Sequence, residues 1–430
     1  MKLVFLLKIS RPIVVISRAS VYSCIQNQVS LLVTSVNIVL FTFDNRNILM
    51  NLQETYRTLF LAPIQGRYIT LKHIRPLLET NSKIEIVKEG ISEKGKEIPI
   101  LKIGNGSKKV LAWSQMHGNE STTTKAVMDF LQFIDQNEVL QKEKKAFLNS
   151  YTLYLIPILN PDGAEAYTRE NANHVDLNRD AKNLTQEESK LLHNLFSEIK
   201  PDLCLNLHDQ RTIYGLETNK TATISFLAPS ADTHRAVTKA RKTAMKYILK
   251  MAKRLQNYIP GQIGRYDDSF NINCVGDSFT AAGAPTILFE AGHYQNDYQR
   301  EKTREFIFYS LLELFGVTSS EANKAIDYND YFDIPENKKN FRDVLLRNVY
   351  LEKEQRTVSI SIQYKEELHD GKIDFVPVIE AIGDLSNFSG HKEVAVKGKV
   401  VLINSQEIFN IGDKVLTIHY KNKAKEIIFQ

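Results

Sequence analysis

Residues 110–120 read VLAWSQMHGNE, and this stretch decides the class of fold. Residues 110–114 form an uncharged apolar run, as in a strand covered on both faces. The polar cluster His117-Gly118-Asn119-Glu120 follows at once. Beyond it Val127, Phe130, Leu131 and Ile134 fall at i, i+3, i+4 and i+7, one apolar face of a helix. A strand, a polar loop and an amphipathic helix in that order are the repeating unit of an α/β layer fold.

Outward from this unit the alternation continues. Residues 151–158, 203–207, 225–228 and 286–289 read as further inner strands, and 186–199, 236–254 and 300–315 as helices. The expected class is α/β, with a mixed, mainly parallel central sheet flanked by helices. Residues 319–348 are polar and charged, with Pro335 inside, and read as a linker. The period then changes: Val358, Ile360 and Ile362 alternate with Ser359, Ser361 and Gln363, and 400–403 and 415–420 follow as short strands. The expected division is an extension over 1–49, an α/β domain over 50–318, a linker over 319–344 and a small all-β C-terminal module over 345–430.

Composition narrows the function. With 430 residues, 43% hydrophobic and 24% charged, and 19 Gly and 12 Pro, the chain is globular and too punctuated for a coiled coil. The formal net charge is +5, but residues 1–50 carry five cations against Asp44 alone, which leaves +1 for the other 380 residues. So even a balance excludes a surface built to neutralise phosphates, and no nucleic-acid partner is expected. Cys24, Cys204 and Cys274 are odd in number and far apart, which gives neither a disulfide framework nor a metal knuckle and allows a reducing, cytoplasmic compartment. Residues 19–43 are uncharged and long enough to cross a bilayer, although Gln26-Asn27-Gln28 interrupts them. Three readings of 1–49 stand: a start placed upstream of a natural beginning at Met50, a membrane anchor, or an ordered extension. Membrane association is expected only through this segment.

Enzymes of open α/β sheets place reactive groups past the carboxyl ends of strands. His117 and Glu120, at i and i+3, share one face of a helical turn and can meet one metal ion. The run 203–207 ends in His208-Asp209, a third ligand from another strand. Two histidines and one glutamate leave a fourth position open for water, the arrangement of catalytic zinc. Residues 286–289 run into Glu290, a carboxylate delivered by an apolar strand and suited to a general base. Asn160-Pro161-Asp162-Gly163 is a turn signal, and Arg169 and Asp176-Leu177-Asn178-Arg179 follow it. An arginine beside an asparagine suits a carboxylate.

HGNE, NPDG, Arg169, DLNR, His208 and the glutamate of FEAG, in that order over residues 70–315, resemble the zinc metallocarboxypeptidases of the carboxypeptidase A type. The resemblance implies one zinc ion held by His117, Glu120 and His208, with Glu290 activating the water that attacks. It implies that Arg169 polarises the scissile carbonyl and that Asn178 and Arg179 hold the free C-terminal carboxylate of a peptide substrate. Asp176 would fix the His117 tautomer, and Tyr266, with Tyr294 or Tyr298 as substitutes, would close over the substrate. His174 stands where a small turn residue is expected, and reads as an exposed loop histidine or a fourth ligand. His293 reads as a packing or a substrate-binding residue. Arg211, soon after the third ligand, also resembles the succinylglutamate desuccinylase and aspartoacylase group. A deacylase of N-acyl amino acids and a silent binding protein on the same fold are therefore the alternatives to a peptidase.

Overall fold

A computed structural model of the chain describes residues 52–136, 139–318 and 326–421. The extension over 1–49, with its membrane-anchor reading, lies outside the described residues, as do residues 319–325 of the expected linker. Among the described residues no helix is long and apolar enough to cross a membrane. The chain separates into Met1–Thr58, of which 52–58 are described and helical, and Leu59–Gln430. The second unit holds the sheets and the cleft.

Its main sheet is built from β1 (Glu85–Ile91), β2 (Glu97–Ile103), β3 (Lys108–Ser114), β4 (Tyr151–Ile156), β5 (Leu203–Asp209), β6 (Ile224–Leu227), β7 (Ile263–Arg265) and β8 (Thr286–Ala291). The order is β1-β2-β4-β3-β5-β8-β6-β7. At the centre β4, β3, β5 and β8 run parallel, while β2 pairs antiparallel with β4 and β6 with β8. The chain thus has the expected α/β class. The central β5 and β8 are buried at every position, and the edge strand β1 carries Glu85, Lys88 and Glu89 on an exposed surface that discourages further pairing.

The period-2 alternation of β3 decides what packs on each face. Leu111 and Trp113 join Leu192 and Leu195 of the helix Glu187–Ile199, and Val275 and Phe279 of the helix Val275–Ala281, in one core. Ser114 turns the other way and bonds the Thr123 and Thr124 hydroxyls at 2.8 and 2.9 Å, at the start of the helix Thr122–Gln136. That helix packs on the helix Glu301–Leu314.

Two local expectations need correction. His117–Glu120 does not open the helix: it is a turn ahead of Thr122, closed by Glu120 N–H donating to His117 O at 3.0 Å. Asn160-Pro161-Asp162-Gly163 is more than a turn and starts the short helix Pro161–Ala166. Asn160 caps it by accepting from Gly163 N at 2.8 Å, and proline sits at the first position, where its missing N–H costs nothing.

The C-terminal part is a sheet of order β11-β10-β9-β12, from β9 (Phe341–Leu351), β10 (Arg356–His369), β11 (Lys372–Gly383) and β12 (Ser389–Lys399), with the pair β13 (Val401–Ile403) and β14 (Ile418–Tyr420). Strand β9 begins within the stretch read as linker. Earlier in that stretch the 3-10 turn Tyr328–Asp333 buries Tyr331, whose hydroxyl accepts from Ala228 N at 3.0 Å. Arg265 N–H of β7 donates to Pro335 O and Asn337 N–H to Arg265 O, at 2.8 and 2.9 Å.

One buried ion pair fastens the helix Thr122–Gln136 to the helix Glu301–Leu314. Arg304 donates to both carboxylate oxygens of Asp129 at 2.6 Å, and both side chains are 0% exposed. Asp129→Ala leaves a buried guanidinium short of its main counter-charge, and a loss of about 3–5 kcal/mol is expected. Denaturant unfolding measures it, and a loss below about 1 kcal/mol would contradict this account.

Candidate active site

Register delivers the reactive groups. The turn after β3 presents His117 and Glu120, and β5 presents His208. Because β5 and β8 are parallel, His208 lies directly opposite Glu290. The Nδ1 atoms of His117 and His208 are 3.1 Å apart, and each faces an oxygen of Glu120, at 2.8 and 2.9 Å. Ligand atoms of these three residues lie within 4.8 Å of one another, the one such group of three among the described residues.

The donor set fits one zinc ion. Two imidazole nitrogens on a single tetrahedral zinc at about 2.0–2.1 Å stand roughly 3.3 Å apart, close to the spacing observed. His117 keeps Nδ1 for this purpose because its Nε2 is engaged by Asp176 Oδ1 at 3.0 Å. Burial pushes the His208 imidazole toward its neutral, ligating form. Burial opposes charge on Glu120, but His117 and His208 outweigh it and hold the carboxyl below its usual range.

Glu290 has the opposite balance. Burial, reinforced by the charges of Glu120 and Asp209 and only partly offset by Arg169, raises its pKa well above the carboxylate range. Its carboxyl borders the same cleft as the three candidate ligands, within reach of a proton-transfer role there. Arg169 donates from Nε and Nη2 to Asp176 Oδ2 at 3.1 and 3.0 Å, and from Nη1 to Glu120 Oε1 at 3.2 Å.

His117, Glu120, His208, Glu290, Arg169, Asn178, Arg179 and Tyr266 all border one cleft of about 580 Å³. Asp176 stands just behind it, bonded to His117 and Arg169. Asn178 accepts from Val275 N at 3.1 Å, and Arg179 Nη1 contacts its own neighbour's carbonyl at 2.8 Å and Cys274 Sγ at 3.1 Å. Tyr266 donates to the Tyr214 hydroxyl at 2.6 Å. Tyr294 packs on Phe306, and Tyr298 donates to Asp343 at 3.1 Å, so neither borders the cleft. His174 is exposed at φ 58° and outside the ligand group, so it is no fourth ligand. His293 is 1% exposed between Tyr298 and His391, away from the cleft, and its substrate-binding reading falls.

Sequence reasoning passed over Asn206, Tyr214, Cys274 and Asp277, which also border the cleft. Asn206 had a signal, since it alternates with His208 along an apolar strand; its buried Oδ1 has no partner among the described residues. Burial pushes Asp277 up to about 6. Nothing local marks Cys274, Asp277 or Tyr214.

A sheet-end cleft with a His-Glu-His ligand group and a buried carboxylate defines a metallohydrolase type of site. Residues 71–278 match the family model described as zinc carboxypeptidase. Carboxypeptidase 2 of Trichophyton rubrum is 26% identical over 147 residues, covering 32% of this chain and 27% of that protein. Gamma-D-glutamyl-L-diamino acid endopeptidase 1 of Lysinibacillus sphaericus is 35% identical over 79 residues, covering 17% of this chain and 20% of that protein. The chain therefore spans about a quarter of the length of these curated relatives. A metallo-carboxypeptidase from Pseudomonas aeruginosa, solved in complex with (2-guanidinoethylmercapto)succinic acid, aligns at a TM-score of 0.47 and 16% identity over 57% of this chain and 68% of that chain.

Gly118 shows why the ligand turn and the Asn160 cap belong together. A Cβ at Gly118 would stand 1.9 Å from the Gly163 carbonyl carbon, and one at Gly163 would stand 2.6 Å from Glu170 O. Backbone meets backbone here, so only glycine fits. Gly118→Ala is expected to cost about 1–3 kcal/mol and to weaken zinc binding. Thermal melting and zinc titration measure the two effects, and unchanged values for both would remove the packing argument.

Proposed function

We propose that the chain is a zinc metallocarboxypeptidase that hydrolyses the C-terminal peptide bond of peptides. The observation that carries the reading is the convergence of His117, Glu120 and His208 in one cleft with Glu290 and the pair Asn178 and Arg179. Zinc, when bound, supplies a Lewis acid for the scissile carbonyl and for the attacking water. Glu290 takes the proton of that water and returns it to the leaving nitrogen, a double duty supported by its place opposite His208 at the edge of the cleft. Arg169 leaves Glu120 to stabilise charge that develops on the carbonyl oxygen. Asn178 and Arg179 hold the terminal carboxylate through an amide and a planar fork, while Asp176 keeps the His117 ring in place. Tyr266, whose hydroxyl bonds Tyr214 and whose N–H donates to Phe226 O at 3.0 Å, covers the bound residue. The division into 50–318, 319–344 and 345–430 is part of the proposal, supported by the change from a parallel sheet to a separate β core. A cytoplasmic setting is supported by the free thiols of Cys204 and Cys274.

Glu290→Gln keeps the shape and removes the base. Peptide hydrolysis is expected to fall by a factor of about 10²–10⁴ with zinc content unchanged; turnover near the wild-type rate with full zinc would reject Glu290 as the base. An assay of peptides against N-acyl amino acids decides the substrate type, and release from the latter alone would favour a deacylase.

Arg179→Ala tests the carboxylate clamp. Binding of peptides with a free C-terminus is expected to weaken by roughly tenfold or more, the loss for a charge-assisted pair, with little change for amidated peptides. Equal losses on both would dismiss the clamp.

A further inference from the structure

Behind the metal group the cleft continues as a recess along the sheet. Residues two apart on a strand face the same side, so Asn206 stands one step, about 6.6 Å, behind His208 on β5, and Leu288 one step behind Glu290 on β8. The register sets Asn206 opposite Leu288, and Leu288 opposite Leu227 of β6. All three border the cleft. With Trp113 on its other side, Asn206 is the polar member of an otherwise apolar row. It is 1% exposed, and its Oδ1 has no partner among the described residues.

Asp277 stands on the facing wall. Just past Leu227 the chain reaches Pro229, against which Gly276 packs so closely that a Cβ there would stand 2.9 Å from Pro229 Cγ. The next residue, Asp277, borders the cleft and is 6% exposed. Its Oδ2 accepts from Asn271 N at 2.9 Å, and the Ser230 backbone donates to it as well. No cation among the described residues is within ion-pair distance of it: Arg241 is bound to Asp268, and Arg179 to Asn178 O and Cys274 Sγ. A buried carboxyl without a cation and a buried amide oxygen without a donor cost stability unless a ligand supplies both.

The clamp fixes which part of a substrate meets this recess. Asn178 Oδ1 accepts from Val275 N at 3.1 Å and Arg179 Nη1 lies 3.1 Å from Cys274 Sγ, so the two clamp residues rest on the two residues just before Gly276 and Asp277. A carboxylate held by the clamp therefore has the recess beside it. The nitrogen of the same residue has to lie toward Glu290 and the metal group at the strand ends, which leaves the recess for its side chain.

We propose that Asn206 and Asp277 select a basic side chain on the residue released, its cation donating to the Asn206 amide oxygen and to the Asp277 carboxylate. The proposal rests on the peptidase reading and names its substrate class: peptides that end in lysine or a similar basic residue. An ammonium carries three donors and one charge, which serves both acceptors at once. Leu227 and Leu288 line the same recess and suit the apolar stem of such a side chain.

The test is calorimetric binding, to the zinc-loaded full chain, of matched peptides ending in lysine or in norleucine, which has the same stem without the ammonium, with hydrolysis followed in parallel. The lysine peptide is expected to bind about tenfold more tightly. Asn206→Leu and Asp277→Asn, checked as folded by thermal melting, are expected to bring the ratio of the two affinities close to one. Asp267→Asn, at an exposed carboxylate that also borders the cleft, is expected to keep the ratio and so separates the recess from general attraction of cations. Equal affinities in the wild type, an unchanged ratio in a folded Asn206→Leu or Asp277→Asn variant, a ratio lost in Asp267→Asn, or no binding of either peptide would overturn the recess. Should one of the two variants fail to fold, the other and the wild-type comparison decide. The two readings fail separately. A lysine preference in binding without hydrolysis would reject the peptidase and keep the recess, and equal binding and hydrolysis of both peptides would do the reverse.

Discussion

The buried carboxylate of Asp209 joins the pieces that the site needs. Its Oδ2 accepts from Thr122 N at 3.0 Å and from the Thr122 hydroxyl, and its Oδ1 accepts from Thr123 N at 3.4 Å, so it caps the helix Thr122–Gln136 from a different strand. Its own backbone N–H donates to Glu120 Oε2 at 3.1 Å. One residue thus binds the strand that carries His208 to the turn that carries His117 and Glu120. A helix N-terminus favours an anion, and Arg67 at 3.9 Å adds a cation. Burial still dominates and raises the Asp209 pKa, so the interaction is built against a desolvation cost and depends on every one of these partners.

The same low-dielectric interior separates the two glutamates. Glu120 has two imidazoles and two backbone or guanidinium donors turned on it and is held as a carboxylate. Glu290 has no such donors among the described residues, and burial together with the charges of Glu120 and Asp209 raises its pKa. Environment alone separates the two carboxyls, a division the residue type cannot make, and it is this contrast that supports ligation by one and proton transfer by the other in the proposed reading. Arg169 is shared between Glu120 and Asp176, which keeps a positive charge at the cleft without a permanent bond to Glu290.

The inner strands and the helices were legible because burial on two faces leaves an unbroken apolar run, and burial on one face leaves a 3.6-residue period. Both signals are local. The candidate ligands were legible for a related reason: His117 and Glu120 lie in the polar cluster that follows one apolar run, and His208 stands where another stops. The turn at His117 was read as helix because i, i+3 neighbours meet in both conformations, and only the bond from Glu120 N to His117 O tells them apart. Strand β12, SGHKEVAVKGK, gave no reading because half of its side chains meet solvent and its parallel pairing with β9 is set by distant residues. Asp277, Cys274 and Tyr214 acquire meaning only through neighbours far away in the chain, so no window of sequence contains them.

The C-terminal sheet has a core of its own, with Ile360, Ile362 and Ile379 fully buried, yet it also serves the cleft. The loop after β5 leaves the sheet ladder, so the carbonyls of Thr212 and Ile213 have no strand partner of their own and would otherwise face a buried seam. His391 and Phe341 satisfy them. The seam is polar. Burial lowers His391 to about 4 and raises Asp343 to about 6, while Asp343 accepts from Tyr298 at 3.1 Å and from Tyr364 N at 2.8 Å. Glu366 of β10 adds an ionic link, 3.3 Å from Arg67, which in turn faces Asp209. A chain of contacts therefore runs from the sheet to the residue beside the third ligand. The module is coupled to the geometry of the site by packing and hydrogen bonds, whatever else it binds.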